Sequence, residues 1–526
     1  MRTFVFAIGG SGARVLRSLT MLLASGCDNT SVANPIIPII VDYDTSNGDT
    51  RRAQELMELY YGLHNDAYRA DDTTSDGQPV NNHFFCTPLK MLRDMCDDMD
   101  KSLLDAAAKF DLHLDAATQT NITFAQHIGY GSLNVDKGTL TTKLLLDSLY
   151  DTSPERLPGS TKDNPKAELH MNLHKGFRGC PNLGCIVTKQ LEESPEIQLA
   201  VGTLIQPTDK IVIVGSIFGG TGASGIPMLL DLFDRHPQTK AASKAVIAVM
   251  PYFALTPDNN SSSDSNTFIA KAKAAISAYE KTVNQQANCI YYVGDDARSA
   301  FANHDGEKEQ KNDAHYVELV SAMCIMDFIT QREAGGFECC LENWQDKGLD
   351  ITAFYKTETQ DKYIHPMSRF KLFSVFCKRY LFAGKNNSND IWLNGLSDKG
   401  CKAIGNSQCN DYRSRIKDFV GRFDEWMEEM AKENTHRPLL LYNNTTEYRE
   451  IWKHVRLETP GRVYGTNPAI EEKNICQCMT DSYNELNPKA AAGIPDRPEY
   501  LFWRGAKYTM DKIDNLLQKN KLIRKI

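Results

Sequence analysis

Eight consecutive residues, Phe218-Gly219-Gly220-Thr221-Gly222-Ala223-Ser224-Gly225, have the composition of an anion cradle. They follow an apolar run over 211–214 and precede another over 228–233, the pattern of a strand turning into a helix. A glycine turn at that junction presents backbone N–H groups to a phosphate. Its four glycines let the backbone approach the anion with no Cβ between them. Thr221 and Ser224 add hydroxyl donors. Pro227 is expected in the first helical turn, where its missing N–H costs nothing. An ordinary strand-to-helix loop needing positive φ angles would use the same residues, so one such turn does not decide the chemistry.

A second turn strengthens the case. The chain opens with the strand-like Thr3-Phe4-Val5-Phe6-Ala7-Ile8, then Gly9-Gly10-Ser11-Gly12, then a helical pattern through Val15, Leu16 and Leu19. Another apolar run over 36–41 ends in Asp42-Tyr43-Asp44. This is a βαβ opening with acids at the carboxyl end of its second strand. A dinucleotide fingerprint needs a third glycine where Val15 stands, which counts against a Rossmann-type oxidoreductase. Neither turn contains G-x-x-x-x-G-K-[ST], which counts against a Walker-type loop.

The segment 219–253 resembles the tubulin/FtsZ superfamily, whose signature G-G-G-T-G-[ST]-G also lies between a strand and a helix. Phe218 stands at the family's first glycine, Ala223 and Ser224 replace the last two signature residues, and Gly225 comes one place late. Pro227 and the later Pro251-Tyr252-Phe253 match further family features. Asn312-Asp313 resembles the Asn-Asp pair near the start of the family's central helix. The likeness covers roughly residues 1–330, fits poorly over about 50–205, and is greater to divergent bacterial tubulin-like proteins than to eukaryotic tubulin. It implies an α/β, tubulin-like fold: a Rossmann-like nucleotide-binding domain, a long central helix and a smaller α/β C-terminal domain. It implies GTP/GDP and Mg²⁺ as cofactors, and head-to-tail self-association. Gly9, Gly10, Ser11 and Gly12 would form the first phosphate loop, and Gly219, Gly220, Thr221, Gly222, Ala223, Ser224 and Gly225 the main one. Asp42 and Asp44 would lie near the β/γ-phosphates and magnesium. Asn312 and Asp313 would lie at the guanine edge, where a carboxylate can accept from the ring N–H and the exocyclic amine together. An acid at a helix start is also favoured by the helix dipole alone, which leaves Asp313 with two readings.

The resemblance fails at one point. In the family, a loop after the central helix carries an Asn and acids used in hydrolysis. Here no G-x-x-N-x-D-x-x-D follows Thr330, and the acids nearest to it are Glu342, Asp346 and Asp350. No catalytic residue can be assigned from that pattern.

Composition narrows the alternatives. The chain has 526 residues and a net charge of −8, which suits a large soluble core and argues against a mainly electrostatic nucleic-acid binder. No apolar run approaches the roughly 18 residues that cross a bilayer. No signal-peptide pattern precedes the first strand, and a cytoplasmic location is expected. The 14 cysteines are scattered through apolar patterns and read as reduced core thiols. Cys180/Cys185, Cys339-Cys340 and Cys476/Cys478 lack zinc-template spacing. Gly222-Ala223-Ser224-Gly225 lacks the residue that a nucleophile elbow places between its serine and last glycine. His170 and His174 lack the glutamate of H-E-x-x-H and read as a solvated helix face.

The elements that must position these residues follow from periodicity. A helix is predicted over 89–110, from Leu92, Met95, Met99, Leu103, Leu104 and Ala107. Further helices are predicted over 270–279, 412–434 and 508–526, and strands over 245–250, 288–293 and 437–442. Arg178, between Gly176 and Gly179, reads as an exposed turn arginine or a clamp on a terminal phosphate. The divisions are a nucleotide-binding domain over 1–311, a central helix over 312–331 that is apolar on most sides, and a C-terminal α/β domain over 332–526. Two functions stay open. One is a GTPase that assembles head-to-tail into filaments. The other is a GTP-binding switch or scaffold with little hydrolysis that recruits a partner protein. Neither uses nucleic acid or a membrane span.

Overall fold

The computed structural model describes residues 1–27, 34–44, 46–68, 83–102, 104, 109–112, 122–133, 140–150, 168–177, 179–256, 265–295, 299–302, 307–330, 338–341, 362–363, 365–377, 410–431, and 503, 506–507, 510–512 and 515. Strands β1 (Thr3–Ile8) and β3 (Lys210–Ser216) are buried along their whole length. Such unbroken apolar runs belong inside a parallel sheet covered on both faces. They pair with each other, Ala7 opposite Val214 and Ile8 opposite Gly215. With β2 (Ile36–Val41), β4 (Ser243–Val249), β6 (Cys289–Val293) and β8 (Glu338–Leu341) they form a six-stranded sheet of order β2-β1-β3-β4-β6-β8, parallel throughout. A separate parallel pair joins β5 (Phe253–Leu255) to β7 (Ser299–Phe301).

The chain leaves β1 toward one sheet edge and β3 toward the other. Helix α1 (Gly9–Ala24) carries the first crossover and helix α4 (Gly220–Arg235) the second. Right-handed crossovers in opposite directions place these helices on opposite faces. Both begin at the carboxyl ends of neighbouring strands, which is the topological switch point where open α/β sheets bind ligands. Helix α1 packs against α2 (Gly48–Ala67) and α6 (Tyr316–Thr330), and α4 packs against α3 (Pro181–Val187). Helix α5 (Phe268–Lys281) precedes β6. Helix α6 is buried nearly all round, as its broad apolar stripe predicts, but begins four residues later than expected. Its C-terminal carbonyls, Phe328 and Ile329, accept from the Lys210 ammonium at 2.7 and 3.0 Å. A lysine at that position satisfies oxygens that have no donor within the helix.

Farther along, α7 (His365–Phe376) and α8 (Asn410–Ala431) join the same core. Phe370 and Phe419 meet Phe85 edge-on at 5.8 and 5.0 Å. The expectations for 437–442, Glu342, Asp346, Asp350 and Arg178 lie outside the described residues, as does most of 508–526.

Two local expectations are corrected. The helix over 89–110 does not form. Lys90 N–H donates to Ile36 O at 2.9 Å, and Ile40 N–H donates to Phe110 O at 2.7 Å. Both ends of the segment therefore line the outer edge of β2, whose unpaired backbone groups outbid the helical pattern. Among the described residues between them lie only short turns, Leu92–Met95 and Asp98–Lys101. Pro227 lies in the interior of α4, not in its first turn. A proline there removes the N–H that would reach the Ala223 carbonyl. The Tyr279 hydroxyl from α5 donates to that oxygen instead, at 3.4 Å.

Gly12 fixes how closely α1 lies on the sheet, since a Cβ there would come within 2.8 Å of Ala7 C and Val214 O. Gly12→Ala should cost about 1–3 kcal/mol. Gly202→Ala, where a Cβ meets nothing within 4 Å, should change stability by under about 0.5 kcal/mol. Urea unfolding midpoints of the two variants check the contrast, and equal midpoints would contradict it.

Candidate functional site

Both helices at the switch point start bare. Ile8 and Gly219 occupy the N-cap positions of α1 and α4, neither start has a capping side-chain hydrogen bond, and neither first turn holds an acid. Each start leaves backbone N–H groups without a partner inside its helix. Each also carries about half a positive charge from the helix dipole. The two starts touch, because a Cβ on Gly9, whose φ is +67°, would lie 3.3 Å from Thr221 Cβ. Two sets of amide donors therefore converge on one place, which is the chemistry of an anion site.

The glycines serve different ends. Gly10 faces the cleft, where a Cβ would meet only the Asn47 and Gln310 amides at 3.4–3.8 Å. At Gly222 a Cβ would lie 2.3 Å from Ser216 O and 2.8 Å from Ser216 N, so packing alone demands glycine there. A Cβ on Gly225 would lie 2.9 Å from Ile8 Cγ2. The Ser224 hydroxyl, expected to serve as a donor, bonds inward to Gly220 O at 2.9 Å and Thr221 O at 3.2 Å. It seals the helix turn and is turned away from the ligand side.

The cleft encloses about 960 Å³ including its open mouth, within the range of small-molecule sites. Of the residues singled out in the sequence, Gly9, Gly10, Ser11, Asp42, Asp44, Gly219, Gly220, Thr221, Gly222 and Asn312 line it. Gly12, Ala223, Ser224, Gly225 and Asp313 do not. A strap crosses the α4 start, formed by Gly176, Phe177 and Gly179, with φ of +70° and +76° at its two glycines. Phe177 packs on Tyr43 at 4.9 Å, and a Cβ on Gly220 would lie 2.7 Å from Phe177 Cβ. Lys271 of α5 holds the strap by donating to Gly179 O at 2.7 Å.

Asp42 and Asp44 close the cleft at the end of β2, and both are buried. The Asp42 carboxylate accepts from Asp44 N–H at 3.2 Å and from the Thr50 hydroxyl at 3.1 Å. Burial, with the Asp44 charge beside it, pushes the Asp42 carboxyl up to about 7. No cluster of three or more metal-binding side chains occurs among the described residues. Two adjacent carboxylates beside an anion cradle fit Mg²⁺, which keeps waters and shares phosphate oxygens instead of taking an all-protein cage.

Beside these acids the cleft is lined by amides. Asn47 caps α2, its Oδ1 accepting from the Asp49 and Thr50 N–H groups at 2.9 and 3.2 Å. Its Nδ2 donates to Gln310 Oε1 at 2.9 Å. Asn312 is held through Nδ2 and N–H by the Asp49 carboxylate, at 3.3 and 3.1 Å. That grip orients the amide, with Oδ1 as its remaining acceptor. Asp313 gives its backbone oxygen to Arg14 at 2.7 Å, and it is Asn312, not Asp313, that reaches the cleft. Sequence reading missed Asn47, Phe177 and Gln310. An Asn just ahead of a helical run is a capping signal and could have located Asn47.

Fold and cleft together define a parallel α/β protein with two open helix starts at its switch point. No family model matches the sequence, and no curated protein matches it. Among solved structures, the chain is similar to CetZ2 from Haloferax volcanii in its GTPγS-bound protofilament. The similarity has 11% identity and a TM-score of 0.27, and covers 62% of this chain and 58% of that one. No helix among the described residues is long and apolar enough to cross a membrane.

The raised Asp42 group has a consequence for stability. It is protonated more readily in the fold than in the unfolded chain, so its contribution is fully present below about 4 and lost as pH rises through about 7. Asp42→Asn mimics the protonated form. It should stabilise the unliganded protein at pH 8 by about 1–2 kcal/mol more than at pH 5. Thermal midpoints across that range check this, and a gain largest at pH 5 would contradict it.

Proposed function

We propose that this protein binds GTP and GDP with Mg²⁺, as a tubulin-like nucleotide-binding protein. The observation that carries the reading is the convergence of two uncapped helix starts on one cleft, at a switch point flanked by paired aspartates. The phosphates would lie between Gly9–Ser11 and Gly219–Thr221, with the cation toward Asp42 and Asp44. Asn312, its Nδ2 engaged by Asp49, would offer Oδ1 to the ring donors of guanine. The resemblance of 219–253 to the superfamily supports both the nucleotide and its base. It also supports head-to-tail self-association, since one face of each subunit would carry the nucleotide that its neighbour covers. Such heterologous contacts propagate into filaments unless rotation closes them.

Hydrolysis is the point at which two readings part. A GTPase needs a group that orients water at the terminal phosphate. A switch or scaffold needs only phosphate-dependent order that a partner protein reads. The missing acidic pattern after Thr330 favours the second. Turnover per subunit that rises with protein concentration would mark the first. GTP that is bound and retained without turnover would mark the second.

Gly10 provides the sharpest test of binding. A Cβ there makes ordinary contacts of 3.4–3.8 Å with the Asn47 and Gln310 amides, and a carboxylate at a helix start is favourable in the absence of ligand. Gly10→Asp should therefore keep the unliganded melting temperature while lowering GTP affinity at least about 100-fold, since it places a charge where the phosphate lies. Calorimetric titration of wild type and variant decides. Equal affinities would remove the cleft from the account.

Asn312→Ala should weaken GTP about 5- to 10-fold and ATP much less, the loss of one hydrogen bond to the base. A parallel loss for both nucleotides would assign base reading elsewhere.

A further inference from the structure

Helix α8 lies far along the chain from the phosphate loops, yet its last turn reaches the segment that walls the cleft. It runs antiparallel to α2, with Arg415 on Asp66 at 2.7 Å, Arg422 on Glu55 at 3.0 Å, and Glu429 on Arg52 at 3.1 Å. Trp426 anchors it to α1 by donating to the Ser18 hydroxyl at 3.2 Å. Glu429, 4% exposed, takes donors from three other elements. Arg17 of α1 approaches it at 2.6 Å, Arg52 of α2 at 3.1 Å, and the backbone N–H of Ala314 at 2.7 Å. Arg52 also donates to the Asn312 carbonyl and pairs with Asp49 at 2.8 Å, and Asp49 holds the Asn312 amide. Burial pushes the Glu429 carboxyl up, but Arg17, Arg52 and the Ala314 N–H together hold it below its ordinary value. It stays a buried anion that joins α1, α2 and the segment ahead of α6.

We infer that Glu429 is a positioning residue through which helix α8 sets the 312–314 backbone that carries Asn312 into the cleft, and that α8 is in turn held by ligand binding there. Removing one member of such a network strands buried guanidinium groups and an amide donor, and they relax by moving. The 312–314 backbone lies ahead of α6 and outside any strand, and it is held by the side chains of Asp49, Arg52, Arg14 and Glu429. Coupling of this kind is reciprocal: whatever tightens that backbone tightens α8 by the same factor. The affinity part of this inference rests on the nucleotide reading above, and the backbone part does not.

Three variants test it. Glu429→Gln keeps the volume and an acceptor but removes the charge. Glu429→Ala removes both. Arg415→Ala loosens α8 at its other end, far from the cleft wall. In the unliganded proteins, amide exchange at Ala314 should quicken at least about tenfold in Glu429→Ala, less in Glu429→Gln, and not in Arg415→Ala. GTP affinity should fall in the same order, about tenfold for Glu429→Ala, and GTP should slow exchange across 414–430 in wild type. A purely structural role would lower the melting temperature of all three variants with no separate change at Ala314, and that result overturns the inference. So does wild-type exchange at Ala314 in Glu429→Ala. If Glu429→Ala does not fold, Glu429→Gln carries the same comparison. If wild type binds no nucleotide, the proposed function fails, while the exchange at Ala314 still decides this coupling.

Discussion

The parallel pairing of β1 with β3 is the constraint on which the rest depends. Placing Ile8 beside Gly215 puts the two following turns side by side, and each turn is the start of a helix. Neither helix is given a cap by its own sequence, because Ile8 and Gly219 stand where Ser, Thr, Asp or Asn would otherwise serve. The protein therefore tolerates two open, partly positive helix ends facing each other. That arrangement is unfavourable for the unliganded chain and favourable for an anion, as expected where local rules are broken at a functional site.

The surrounding charges keep this positive field from being quenched internally. Arg14 and Glu318 form a buried ion pair with Tyr252, whose hydroxyl donates to Glu318 at 2.8 Å. The pair fastens α1 to the start of α6. Asp49, Arg52, Arg17 and Glu429 extend the network across α2 and α8. Each acid in it is engaged by guanidinium groups, so none is available to fill the helix starts. Asp42 and Asp44 are the acids left at the cleft, and burial with mutual repulsion makes Asp42 reluctant to ionise. A cation arriving with the ligand would relieve that repulsion.

The parts legible in the sequence were those encoded locally. Strand β1, the Gly9–Gly12 turn, β3, β4, the buried α6 and the amphipathic α8 all announce themselves by periodicity and by glycine between apolar runs. Parallel strands of this kind read clearly because both faces are buried. The segment over 89–110 misled because its apolar spacing suits a helix, while the open edge of β2 offered its backbone better partners. Pro227 misled because the tyrosine that answers it lies 52 positions away, in another helix. The same distance hid most of the cleft's amide lining. Asn47 and Gln310 meet across 263 positions, and Arg17 meets Glu429 across 412, and no single-sequence pattern reports such pairs. Glycine counts also overstated the ligand's share, since Gly222 and Gly225 are explained by Ser216 and Ile8.

On the proposed function, phosphate held by both helix starts would dominate nucleotide binding. That claim is tested most directly by titrating guanosine, GDP and GTP calorimetrically in the presence of Mg²⁺. The account predicts that GDP binds at least about 100-fold more tightly than guanosine, because amide donors and dipoles act on the phosphates. Affinity for guanosine equal to that for GDP, or no binding of any of the three, would contradict it.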